Sequence, residues 1–140
     1  VGVVEFASAF ESGIGEVDGL TGFSRLLRER LPDAEVAVLY GMNFTDEALA
    51  LAVRVDTLVL ATRSVHLNEA KTAFAQRLID AAKTTILVAL RNPHDAMALT
   101  GAETTLCTCG DSTPSLGAAV GALVGDYIPT GKLPLALVSA

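Results

Sequence analysis

The chain has 140 residues, 51% of them hydrophobic and 19% charged. That composition excludes an ordinary disordered tail, and the length suits one domain with a sizeable core. The 16 acidic against 10 basic residues give a net charge of -6. This argues against nucleic acid or an anionic membrane as main partner, because both reward clustered cations.

Val1 to Phe6 reads as a strand. The chain begins inside it, with no charged leader, apolar signal core or cleavage pattern. The expectation is a sequence cut from something longer, and a cytoplasmic location. Ala7 to Gly19 is a loop with three glycines. Leu20, Phe23, Leu26, Leu27 and Leu31 then line one face of a helix, which Pro32 ends. Glu35 to Tyr40 is the second strand. Thr45 is expected to cap a short helix running to about Val55, with Asp46 and Glu47 in its first turn.

Thr57 to Thr62 is a third strand, apolar enough to be buried on both faces. Asn68 is expected to cap the next helix, whose inner face is Ala70, Ala73, Phe74, Leu78 and Ala81. Thr84 to Leu90 is the most strand-like run, and Arg91-Asn92-Pro93-His94-Asp95 follows it. Thr104 to Thr108 is a short fifth strand. Thr113 and Pro114 form an expected N-cap and N1 pair, and Leu116, Ala119, Val120, Leu123 and Val124 give a helical stripe. Leu133 to Val138 is a final strand, with Pro134 suggesting an edge. The longest stretch without a charge, Ser112 to Gly125, is short of the ~20 apolar residues a membrane span needs.

Strand and helix alternate, and the strands are apolar. The expected fold is α/β, a three-layer sandwich with a mainly parallel sheet of about six strands and helices on both faces. Ligands of such sheets bind beyond the carboxyl ends of the strands. Those ends are Ala7-Ser8, Gly41-Met42, Arg63 to His66, Arg91 to Asp95 and Gly110-Asp111.

Several short motifs dissolve on inspection. Gly13-Ile14-Gly15 lacks the third glycine of a dinucleotide fingerprint, since Asp18 stands there. Gly131-Lys132 lacks the first glycine and the hydroxyl of a phosphate loop, since Asp126 and Leu133 stand there. Cys107 and Cys109 are separated by one residue and match no known zinc-ligand spacing, so they read as two small apolar residues in a sheet. No metal or cofactor is expected. Ser112, His66 and Asp95 suggest a hydrolytic triad, but no Gly-x-Ser-x-Gly elbow surrounds any serine. The polar groups just past strand ends are more informative. Arg63, His66, Arg91, Asn92 and His94 are the candidate ligand-facing residues, suited to orienting a polar ligand such as a sugar.

Two segments carry a resemblance, Thr85 to Asp95 (TILVALRNPHD) and Thr105 to Leu137. Their shared features are Arg91-Asn92-Pro93-His94-Asp95, Thr108-Cys109, Thr113-Pro114-Ser115, Leu123-Val124-Gly125 and Pro129-Thr130-Gly131-Lys132-Leu133-Pro134. In this order they resemble the end of the C-terminal domain of glycoside hydrolase family 3, especially its β-N-acetylhexosaminidase branch. His94 stands where Tyr is usual, and Cys109 where an aromatic is common.

The resemblance implies an α/β sandwich that follows a larger barrel and packs on it. It implies retaining cleavage of terminal β-linked sugars through a covalent glycosyl-enzyme. The nucleophilic Asp, and this branch's Asp-His acid/base pair, would lie on that barrel. The partners it implies are therefore the N-terminal catalytic barrel and carbohydrate. In the glucosidase branch the acid/base Glu comes from this domain, and the nearest candidate here is Glu69. Glu69 also reads as a first-turn helix residue, so the isolated domain is expected to be inactive. A bare barrel-facing apolar surface would favour self-association. A free-standing flavodoxin-like module binding a nucleotide or flavin is the rival expectation, as is a structural domain of a non-catalytic homologue.

Overall fold

The computed structural model describes residues 1–7, 22–110 and 112–129. Most of the expected first loop, the expected strand Leu133 to Val138, and the Gly13-Ile14-Gly15 and Gly131-Lys132 segments lie outside them.

The elements run β1 (Gly2–Phe6), α1 (Gly22–Arg30), β2 (Glu35–Leu39), α2 (Thr45–Arg54), β3 (Leu58–Thr62), a 3₁₀ turn (Val65–Leu67), α3 (Glu69–Ala81), β4 (Thr85–Ala89), α4 (Asp95–Ala98), β5 (Thr104–Cys107) and α5 (Thr113–Leu123). The five strands described form one sheet in the order β2-β1-β3-β4-β5. Every neighbouring pair is parallel, with Val3 beside Val36 and Val59, and Leu60 beside Leu87. The architecture is the expected α/β sandwich, with five strands described where about six were expected.

Alternation along the strands divides the core into two. On one face Val4, Phe6, Leu58, Leu60 and Leu87 pack with Leu51 of α2 and with Phe74 and Leu78 of α3. On the other, Val3, Val59, Ala61 and Val88 pack with Phe23 and Leu27 of α1 and with Leu116, Ala119 and Val120 of α5. β1, β3 and most of β4 are therefore buried on both faces, which explains their near-continuous apolar runs. The outer strands β2 and β5 are partly exposed. Gly2 sits where β1 meets α2, and an added Cβ there would come within 2.8 Å of Val55 Cγ1.

Helix starts differ from expectation in two places. Thr45 is the first residue of α2, and its N-cap is Phe44, in the left-handed region at φ 64° with no side-chain cap bond. Thr113 likewise lies inside α5, whose N-cap is Ser112. In both cases the cap lies one residue earlier than expected, and the threonine is the first helical residue. The Asn68 cap is as expected, its side chain accepting from the Lys71 N–H at 3.1 Å. α4 is a single turn that the sequence pattern did not announce. No helix among the described residues is long and apolar enough to cross a membrane.

Candidate functional site

The carboxyl ends of the central strands carry most of the polar groups worth attention. Three non-glycine residues with positive φ, Phe44, Ser64 and Cys109, lie in the segments that follow β2, β3 and β5. Such conformations cost of order 1 kcal/mol each and cluster where a fold builds a site.

The first polar group is internal. Glu5 points to the α1 side of β1 and is fully buried. Arg63, just past β3, reaches it with an Nη1 to Oε2 distance of 2.6 Å, and the same nitrogen donates to the Phe6 carbonyl at 2.7 Å. The Glu5 Oε1 accepts from the Ser24 N–H at 3.0 Å and from its hydroxyl at 2.5 Å. Arg63 therefore ties the ends of β1 and β3 together from inside, with its side chain only 1% exposed. Glu5 and Ser24 are not among the residues the sequence pattern singles out. The available signal was a lone acid in an otherwise apolar strand, VVEF.

The second group bridges the ends of β3 and β4. Asp95 is fully buried at the start of α4. Its Oδ1 takes the His66 N–H at 3.0 Å and the His66 ring Nδ1 at 2.6 Å. Its Oδ2 takes the Val65 N–H at 3.3 Å. Asp95 thus caps the 3₁₀ turn and fixes the His66 ring. An ionised carboxylate only accepts, so His66 donates from Nδ1.

His94 lies one residue earlier and is exposed. Its backbone N–H and its ring Nδ1 both meet Asn92 Oδ1, at 3.0 and 2.7 Å. The two imidazoles lie with centroids 5.7 Å apart and planes tilted by 38°. Pro93 between them in sequence is buried and stiffens the turn. Arg91 is exposed on the same turn. Four of the five candidate residues, His66, Arg91, Asn92 and His94, are thus on two adjoining loops, and Arg63 lies beneath.

The neighbouring strand end completes the rim. The Thr108 hydroxyl lies 2.7 Å from the Leu90 carbonyl and 2.6 Å from that of Gly110, pinning the end of β5 to β4. Cys107 and Cys109 are both reduced, the first half-buried and the second exposed. Burial, then the charges of Cys109 and Asp95, push the Cys107 thiol above its ordinary range.

Two other candidates are placed apart. Glu69 opens α3 and is exposed, a first-turn carboxylate facing the helix dipole. Asp95 and His66 make the acid–imidazole half of such a relay, but the Ser112 hydroxyl bonds Ser115 at 3.1 Å rather than His66, so the three-residue relay is not assembled. A groove of about 250 Å³ opens between α2 and α3, lined by Met42, Thr45, Leu49, Ala73, Phe74 and Arg77. None of the candidate residues lines it. The convergence of polar groups is therefore at the β3–β4 rim, not in this groove.

No protein-family model matches the sequence, and neither does any curated protein. Two solved chains share the fold, each at TM-score 0.77 and 18% identity. One is a fungal multi-domain family 3 β-N-acetylglucosaminidase with a GCN5-related glucosamine N-acetyltransferase region, matched over 97% of this chain and 15% of its own. The other is a glycoside hydrolase family 3 β-N-acetylglucosaminidase from Paenibacillus sp. str. FPU-7, matched over 95% of this chain and 26% of its own. At that identity the likeness shows the fold. Both neighbours belong to the family that the sequence resembles, and this chain spans about a quarter of their length or less.

Proposed function

We propose that this chain is the C-terminal α/β domain of a retaining β-N-acetylhexosaminidase-like glycoside hydrolase of family 3. Its role is to pack on a catalytic barrel and to close one wall of the sugar site with His66, Arg91, Asn92 and His94. One observation carries this reading: a fold shared over 95–97% of the chain with parts of two much longer family 3 β-N-acetylglucosaminidases. The ordered motifs from Arg91 to Pro134 support it independently.

The rim can bind but is poorly equipped to cleave. Retaining hydrolysis with two carboxylates needs them ~5 Å apart, flanking the scissile bond. Asp95 is buried and its oxygens are engaged by Val65 and His66. Glu69 stands on an exposed helix start. The nucleophile and the acid/base therefore come from the barrel.

The test is turnover of an aryl N-acetyl-β-glucosaminide by this chain alone and by a longer protein that includes the barrel. We expect turnover only in the second. Clear turnover by this chain, lost on Glu69→Gln, overturns the reading. The strand order also matches doubly wound domains that bind a ligand where β1 and β3 diverge. A flavin absorbance in purified protein would favour that second reading.

A further inference from the structure

The paired histidines at the β3–β4 rim are arranged more specifically than sugar contact requires. His66 donates its Nδ1–H to the buried Asp95 carboxylate. Asn92 Oδ1 already accepts the His94 backbone N–H, so that atom is the amide oxygen, and His94 Nδ1 donates to it as well. The network therefore assigns one tautomer to both rings. When neutral, each carries its lone pair on Nε2.

Metal-binding histidines show this pattern. The ring nitrogen that does not bind the ion donates to a carboxylate or carbonyl oxygen, which fixes the ring and raises its basicity. The spacing also fits. With bonds of ~2.0–2.1 Å from ion to nitrogen, each ring centroid lies ~3.2 Å from the ion, so two rings at a tetrahedral angle sit ~5 Å apart. The observed centroid separation of 5.7 Å is close to that value. Both residues reach solvent, His94 as an exposed residue and His66 with 18% of its side chain.

We infer that His66 and His94 form a two-imidazole site for a divalent late transition ion such as Zn(II) or Cu(II). Imidazole suits these ions. No group of three or more His, Cys, Asp or Glu gathers for a metal among the described residues. The remaining coordination positions are therefore open to water or to a ligand atom. The site is an open one, of the kind that takes up an additional ligand.

Untagged protein titrated with Zn(II) should bind one ion per chain. Cu(II) added in its place should give an electron paramagnetic resonance spectrum with two nitrogen ligands. Losing an outer partner of a metal ligand costs ~10–100-fold in affinity, and losing the ligand itself costs at least the upper end. His94→Ala, at an exposed position, should therefore weaken Zn(II) binding by ~100-fold and leave one nitrogen in the Cu(II) spectrum. Failure to bind Zn(II) at millimolar concentration overturns the inference, as does binding that His94→Ala leaves unchanged. Neither measurement depends on sugar cleavage, so this inference and the proposed function stand or fall separately.

Discussion

Glu5 and Arg63 show how one residue pair can hold the centre of a parallel sheet. Both side chains are almost wholly out of solvent, 0% and 1% exposed. A buried charge persists only when it is paired and hydrogen-bonded, and here Ser24 and the Phe6 carbonyl supply further bonds. Removing one partner strands the other. Arg63→Met should therefore lower the unfolding free energy by about 3–5 kcal/mol. Adding Glu5→Gln to that variant should restore part of the loss. Urea midpoints of the two variants check both statements, and a near-neutral Arg63→Met would refute the pairing.

Cys107 adds a pH dependence at the same scale. Burial raises its thiol first, and the neighbouring Cys109 and Asp95 charges add to it. A group raised on folding contributes stability that is complete below its unfolded value. That contribution is lost as pH rises through the folded value. Stability should thus fall on the alkaline side of the ordinary thiol range. Cys107→Ala should flatten that fall, which urea midpoints from neutral to alkaline pH would show.

The elements were largely legible because each buries a patterned face. The TLVLAT and TILVAL runs became β3 and β4, and the Leu116–Val120 stripe became the inner face of α5. Helix starts were legible only where the cap is a side chain. Asn68 supplies one, accepting from the Lys71 N–H. Asn68→Ala should therefore cost about 1 kcal/mol, read from thermal or urea unfolding. Phe44 was illegible as a cap because nothing in its side chain does the capping. Its backbone adopts the left-handed conformation, at φ 64°, with no side-chain cap bond.

The site was half legible for a related reason. Its loops follow from strand ends, so His66, Arg91, Asn92 and His94 could be named. Its pairings depend on which strands are neighbours. His66 meets Asp95 across 29 positions only because β3 lies beside β4, and Arg63 meets Glu5 across 58 only because β1 lies beside β3. Local pattern specifies strands and their buried faces, but not their order across the sheet.

At the scale of the molecule, the segments that follow β2 and β3 carry large apolar side chains in solvent. Phe44, just before α2, is 57% exposed, and Leu67, just before α3, is 76% exposed. Met42 is exposed too and lines the groove between those helices. Exposed large apolar side chains at one end of a parallel sheet mark a candidate interaction surface. If a barrel covers this face in a longer protein, the chain alone should bury it by self-association. Fully burying a Phe or Leu is worth about 1.5–3 kcal/mol. The net charge of -6 opposes the contact at low ionic strength, and salt screens that repulsion. Sedimentation analysis should therefore show a dimer that strengthens as salt rises. Phe44→Ser with Leu67→Ser removes apolar area from both copies, and should weaken association by at least ~100-fold by the same area reckoning. Folding stability should change little, since both side chains are mostly in water in the monomer. A chain that stays monomeric at high salt and high concentration would remove this face from consideration as the barrel-facing one.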